Sequence, residues 1–227
     1  MEKFTEAFEM LLSMDKELLQ IIGVTLRMSF FSTLISCLLG MPLGVLLGKS
    51  SFKGKGTIIK LTGTFMGLPP VVAGLIVYML FSKNGILGSL NLLFTVDVMV
   101  IAQCMLIIPV VINLTYSIIM VNAFPLLETA KGLNFSKTKT LLLMISENKA
   151  SLFNVVLTAF GRSIAEVGAV SLVGGNIQWK TRVMTTAIML ETNKGNFSFA
   201  LALGIILLLI SFIVNAVASF AVKEDKR

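Results

Sequence analysis

Among its 227 residues the sequence has no histidine, a single tryptophan, two tyrosines and two cysteines, and only 14% of it is charged. Each shortage closes off a class of function. Without histidine the chain lacks the commonest general base, the commonest metal ligand and the base of a hydrolase triad. Paired carboxylates do not replace it, because Asp15, Asp97 and Asp225 all fall near the ends of apolar runs or outside them. An intramembrane enzyme is therefore not expected. Cys37 and Cys104 lie inside apolar runs without C-x-x-C spacing and read as small buried hydrophobes rather than as a disulfide or a metal site. The charged share is far below the ~25% of a soluble domain, which makes lipid rather than water the solvent for most of the chain.

What the sequence does contain is apolar length: 56% of residues are hydrophobic and the mean hydropathy is +0.91. The apolar residues fall into five runs, at 22–48, 57–81, 96–120, 152–174 and 197–222. Each matches the ~20 residues needed to cross ~30 Å of hydrocarbon. Ahead of them, residues 1–20 place Phe4, Phe8, Leu11, Leu12, Leu18 and Leu19 among Glu6, Glu9, Asp15 and Glu17, the pattern of a helix lying in the membrane interface. This acidic, amphipathic stretch lacks the basic and apolar regions of a cleavable signal, so the chain is expected to insert through its own spans. The expected fold is an all-α, multi-pass membrane protein forming one transmembrane domain over 1–227.

Charge sets the expected orientation. With the C-terminus cytoplasmic, the inner connections hold eleven basic and four acidic residues, and the outer side holds seven of each. The net charge of +7 is thus a topology signal and not a sign of nucleic-acid binding. Five spans then place the N-terminus outside. Gly40, Gly44 and Gly48 on the first span, and Gly63 with Gly67 on the second, have the four-residue spacing that lets helices approach closely in lipid. The stretch GVLLGKS at 44–50 superficially suggests a phosphate-binding loop, but it has three residues between its glycines where that motif has four.

The connection at 124–149, FPLLETAKGLNFSKTKTLLLMISENK, is long for a compact membrane protein and has helical periodicity. Pro125 can open a helix, Gly132 can end it, and a second helix follows. In this segment the sequence resembles the membrane subunits of binding-protein-dependent ABC importers, whose signature loop runs Glu-Ala-Ala, three residues, then Gly. Glu128, Thr129 and Ala130 match the triplet with Thr for the middle Ala. Asn134 stands at the family glycine, beyond Gly132 and Leu133, and Ser146-Glu147 replaces the usual Leu-Pro ending. Asn tolerates left-handed backbone, so the turn is expected to survive. The resemblance implies the type I importer fold and a coupling segment at Glu128, Thr129, Ala130, Gly132, Leu133 and Asn134 that engages an ATPase.

A second resemblance covers most of residues 25–220. LPPVVAGLIVYML (68–80), GRSIAEVGAVSLVGGNI (161–177) and TRVMTTAIMLETNKGNFSFALALG (181–204), in this order, are similar to permeases for molybdate and tungstate, nearest the tungstate group. Pathway and gate candidates lie within them. Pro69-Pro70 must unwind or kink its span, which marks either a pathway or a packing kink. Arg162 and Glu166, four residues apart, are expected to share a helix face and pair, with Arg162 either touching the anion or only anchoring Glu166. Gly174-Gly175 closes that span, and the outer loop 176–196 carries the interfacial Trp179 with Thr185 and Thr186. Those hydroxyls suit an oxyanion, and the loop equally suits docking of an external binding protein.

The resemblance implies a homodimer with the pathway on its two-fold axis, two cytoplasmic ABC ATPase subunits that bind ATP and Mg, and an extracytoplasmic oxyanion-binding protein. No cofactor, metal or catalytic residue is expected in this chain itself. The competing reading is an ATP-independent channel or facilitator for small anions.

Overall fold

The structure is a computed structural model describing residues 5–7, 9–10, 13 and 15–224, with side chains described to residue 217. Among these residues all regular structure is helical: α1 (Lys16–Lys49), α2 (Lys55–Met66), α3 (Pro70–Phe81), a 3-10 turn at Gly88–Leu90, α4 (Val96–Gly132), α5 (Lys137–Glu147), α6 (Lys149–Ile164), α7 (Gly168–Gly174), α8 (Met184–Asn193) and α9 (Phe197–Glu224). Three helices are long and apolar enough to cross a membrane: α1, α4, and α9 over Phe197–Val217. Two bent pairs, α2 with α3 at 97° and α5 with α6 at 71°, bring the total to as many as five.

The frame is the pair α1 and α4, of 34 and 37 residues, or roughly 50 Å each at 1.5 Å per residue. They run side by side in the same direction because glycine removes the side chains between them. A Cβ on Gly40 would stand 2.9 Å from Val111 Cγ1, one on Gly44 2.6 Å from Thr115 Cβ, and one on Gly48 2.6 Å from Ile119 Cγ2. The GVLLGKS stretch is thus helix end and packing seam, with no phosphate-cradling loop. Gly63 meets nothing within 4 Å, and α2 has no buried residue, so the close approach expected at Gly63 and Gly67 is not made within this subunit.

A polar seam ties α6 to this frame. Ser32 and Ser163 hydroxyls are 2.8 Å apart, Ser163 Oγ donates to Gln103 Oε1 at 2.7 Å, and Gln103 Nε2 donates to the Ser163 carbonyl at 2.8 Å. All three residues are fully buried, where satisfied polar networks rigidify a core. Cys37 and Cys104 are free thiols; Cys104 is buried as expected, whereas Cys37 is half-buried.

Two boundaries differ from the sequence reading. Of the interfacial helix expected over 1–20, residues 1–4, 8, 11–12 and 14 lie outside the described residues and 5–7 and 9–10 are helical, while 16–20 belong to α1 itself and Leu18 is buried in the core. The apolar run 152–174 is not one helix: α6 stops at Ile164 and α7 restarts at Gly168.

One end of the bundle gathers the start of α1 and the connection before α9. Arg182 Nη1 and Gln178 Nε2 donate to Glu17 Oε1 at 2.9 and 2.8 Å, and Ser198 Oγ donates to Glu6 Oε2 at 2.6 Å. The connection after α1 and the segment 121–148, which holds the end of α4 and α5, lie at the other end.

Candidate functional site

The two candidate regions are a pair of helix breaks within the bundle and a helix end that projects from it. The first break is at Pro69-Pro70. Pro69 is the extended N-cap of α3, Pro70 opens the helix, and the Pro69 carbonyl accepts from Val72 and Ala73 at 2.9 and 3.2 Å. Two consecutive residues without N–H groups cannot continue α2, and the chain turns by 97°.

The second break, Ala165–Val167, packs on the first. A Cβ on Gly168 would lie 3.0 Å from Val71 Cγ2 and 3.5 Å from Pro70 Cβ, and one on Gly74 would lie 2.7 Å from Ala169 Cα. Side chains elsewhere in the chain brace this break: Gln103 Nε2 donates to the Ser163 carbonyl, which also accepts the Glu166 N–H at 3.3 Å, and Thr185 Oγ1 donates to the Glu166 carbonyl at 2.8 Å. Glu166, itself buried, accepts the Ala169 N–H at 3.2 Å through Oε1.

The expected Arg162–Glu166 pair is not formed. Four-residue spacing brings side chains together only inside a helix, and α6 ends between the two. Among the described residues the ion pairs are Arg182–Glu17 and Lys194–Glu191. Arg162 is half-buried, and its Nε has no hydrogen-bond partner.

The connection 176–196, expected on the outer side, is not an open loop. It contains α8, whose Met184 and Ala187 are fully buried against α1 and α9. Thr25 Oγ1 accepts the Met184 N–H at 2.9 Å and fixes the start of α8 on α1. The proposed anion donors are engaged internally in this conformation. Thr185 donates to the Glu166 carbonyl, while Thr186 donates to Asn176 Oδ1 at 2.9 Å and accepts the Val183 N–H at 3.2 Å. Gly174 and Gly175 are packing positions. A Cβ on Gly174 would meet Met99 Sδ at 2.7 Å, and Gly175 closes α7 at φ +68 against the Phe94 ring. Trp179 is exposed, as an interfacial anchor should be. Farther along, the Lys194 ammonium holds the Glu191 carboxyl below its ordinary range, opposed by burial and aided by Asn196.

At the other end of the bundle, α4 runs uninterrupted through Pro125 to Gly132, so Pro125 does not open a separate helix. Its missing N–H leaves the Val121 carbonyl unpaired within the helix at a highly exposed residue, where solvent can serve it. Glu128 and Thr129 are exposed and Ala130 is buried. The Thr129 hydroxyl donates to the Pro125 carbonyl at 2.9 Å, so threonine in place of the family alanine adds only a methyl to the surface.

The helix then closes in a Schellman turn: Phe135 N–H reaches the Ala130 carbonyl at 2.9 Å and Asn134 N–H the Lys131 carbonyl at 3.0 Å, with Asn134 at φ 51. Asparagine therefore adopts the left-handed backbone for which this position normally uses glycine. Ser136 caps α5 through the Lys139 N–H at 3.3 Å.

Sequence reasoning missed the joint that anchors this segment. Asn148, at the 71° bend between α5 and α6, is nearly fully buried. Its Nδ2 donates to the Met144 carbonyl and its Oδ1 accepts from Asn122 Nδ2, both at 2.8 Å. The available signal was an asparagine, Asn148, standing between two helical stretches. Replacing Asn148 by Ala strands the buried Met144 carbonyl, leaves the exposed Asn122 to solvent, and is expected to cost about 1–3 kcal/mol. The check is a lower unfolding temperature in detergent, with Asn122→Ala adding little on top of it.

Comparison with known proteins fits this arrangement. Residues 40–223 match the family described as "Binding-protein-dependent transport system inner membrane component". The chain is similar to the tungstate uptake system permease protein TupB of Peptoclostridium acidaminophilum, with 40% identity over 99% of this chain and 98% of that one. It is also similar to the protein of the same name from Campylobacter jejuni, with 40% identity over 93% of this chain and 89% of that one. A probable anion ABC transporter permease protein of Haloferax volcanii is 36% identical over 89% of each chain. Among solved structures, an inward-facing MetNI methionine ABC transporter chain superposes with a TM-score of 0.76 at 15% identity, covering 95% of this chain and 99% of that one, a likeness of fold. With a family match over most of its length and relatives at this identity, the chain belongs to the inner-membrane permease components of binding-protein-dependent ABC transport systems.

Proposed function

We propose that this chain, as a pair of identical subunits, forms the membrane pathway of an ATP-driven importer for a tetrahedral oxyanion, with tungstate the preferred ion and molybdate next. The observation that carries the coupling half of this reading is the exposed end of α4, closed by left-handed Asn134 and presenting Glu128 and Thr129. The names of the relatives at 40% identity support the choice of ion.

In this reading the N-terminus is outside and the C-terminus cytoplasmic. Two ATPase subunits, which hold the ATP and Mg, dock on the two copies of 124–134, and the chain itself has no catalytic role. When they close on ATP they displace the end of α4. The single helix from Val96 to Gly132, keyed to α1 by three glycines, and the Asn122–Asn148 joint carry that displacement to α6 and the paired breaks. Duplication of the subunit is supported by α2, which buries none of its residues although Ile58, Leu61 and Phe65 are exposed along it. With their protons used within the fold, the Thr185 and Thr186 hydroxyls offer an anion no donor in this conformation. Tight binding then belongs to an external binding protein that delivers the ion.

The test is reconstitution of the chain with its ATPase subunits in liposomes. Tungstate-loaded binding protein should stimulate ATP hydrolysis and accumulate the ion inside, and sulfate-loaded protein should do neither. Passive, ATP-independent tungstate flux would favour a facilitator instead.

A further inference from the structure

The subunit leaves Arg162 without a counter-charge. Its guanidinium makes no hydrogen bond or ion pair with any described residue, and its Nε is buried. The neighbouring serine fixes its depth. Ser163 is bonded to Ser32, the seventeenth of the 34 residues of α1, and to Gln103, seven residues past the start of α4. At 1.5 Å per residue these contacts lie about 15 Å and about 10 Å inside the apolar runs that begin at 22 and 96. Arg27, the other arginine within an apolar run, stands five residues into it and is exposed, where a long side chain can reach the interface.

No carboxylate is placed to neutralise Arg162. Glu166 is buried and accepts the Ala169 N–H, and every other described Asp or Glu lies at or beyond the end of an apolar run. A second copy of the chain brings the same set. A charge held at this depth without a partner is costly unless it faces water or an ion in transit.

Arg162 also heads a polar row. Asn154, Thr158 and Arg162 recur at every fourth position and so share one side of α6, and between Leu152 and Arg162 they are the only polar side chains. Thr158 is exposed and Asn154 half-buried, although Val155 and Ala159 beside them are buried. Asn154 and Thr158 line a cavity of about 290 Å³ with Ser211 and Val214 of α9. The row leads from Arg162 toward the bend at Asn148, and thus toward the end of the bundle that holds 121–148.

We propose that Arg162 is the residue that receives the oxyanion inside the membrane, and that Thr158 and Asn154 continue its hydrated path toward the α5–α6 bend. This assignment deepens the importer reading and rests on it. A guanidinium presents paired N–H donors to two oxygens of a tetrahedral anion. One Arg162 in each of two subunits balances the charge of a divalent ion, so the ion crosses the hydrocarbon depth neutralised. The role expected of Thr185 and Thr186 passes to a side chain whose donors the fold does not use.

The experiment uses the chain reconstituted with its ATPase subunits and the tungstate-loaded binding protein. Arg162→Gln should lower uptake by on the order of tenfold or more, while Arg162→Lys, which keeps the charge, should stay near the parent rate. Yield, unfolding temperature and ATPase retention should match the parent in both. A second measurement does not need an Arg162 variant to fold. In a chain with Cys37 and Cys104 replaced by alanine, Thr158→Cys in open membrane fragments should react with a membrane-impermeant anionic thiosulfonate, and millimolar tungstate should slow the reaction. Phe153→Cys, exposed on another side of α6, should stay unreacted. Parent-like uptake by Arg162→Gln would overturn the assignment, as would equal losses in the Gln and Lys variants with a lowered unfolding temperature, or an unreactive Thr158→Cys. A parent chain that accumulates no tungstate would instead refute the importer reading itself.

Discussion

Leucine in place of Gly44 is expected to leave almost no folded protein in the membrane. The first atom of any side chain there would stand 2.6 Å from Thr115 Cβ and 2.8 Å from the Ile112 carbonyl oxygen. A backbone oxygen cannot rotate away as a side chain can, so α1 and α4 must separate. Separation also opens the contacts of Gly40 on Val111 and Gly48 on Ile119. Overpacking a core costs about 1–3 kcal/mol where side chains can adjust, and here three contacts fail together. In lipid, where close packing rather than hydrophobic burial holds helices together, nothing replaces them. The check is membrane yield and monodispersity in detergent against Gly23→Leu on the same helix, where a side chain meets nothing within 4 Å. Gly23→Leu should accumulate normally, and similar yields for the two variants would mean that α1 and α4 do not meet on this seam.

Glu128→Lys has an equally large expected effect on transport and almost none on folding. Glu128 is exposed at the end of α4 and forms no ion pair among the described residues, so the fold does not depend on its charge. A docking ATPase would. Reversing one charge in a buried interfacial contact removes an attraction and adds a repulsion, a change of 2–5 kcal/mol or more and thus about thirtyfold or greater in affinity. Substrate-stimulated uptake should fall by at least that factor while protein yield and unfolding temperature stay unchanged. Uptake at the parent rate would remove Glu128 from the coupling contact.

Much of this architecture was legible in the sequence because its causes are local. The break at Pro69-Pro70 needs only two missing N–H groups, and the α1–α4 seam needs only glycines repeating every four residues. The turn at Asn134 was readable from the capacity of asparagine for left-handed backbone. The break between α6 and α7 was not, because SIAEVG contains nothing that forbids a helix. What braces the break is the pair of distant donors, Gln103 and Thr185, that reach the carbonyls of Ser163 and Glu166. Sequence spacing therefore paired Arg162 with Glu166 across a helix that is not there. The same limit hid α8, whose ten residues look like a polar connection until Met184 and Ala187 are seen filling the space between α1 and α9. Pro125 misled in the opposite sense. A proline that lacks a donor at the solvated end of a long helix need not end it, whereas the Pro69-Pro70 pair, with two donors missing in succession, does.

The account depends on the end of α4 facing the compartment where ATP is available. A single cysteine at exposed Leu133, in a chain with Cys37 and Cys104 replaced by alanine, can be probed with a membrane-impermeant maleimide. Intact cells should leave it unlabelled and permeabilised cells should label it, with Trp179→Cys behaving in the reverse way. Labelling of position 133 in intact cells would put the segment on the wrong side of the membrane for any ATPase and contradict the mechanism.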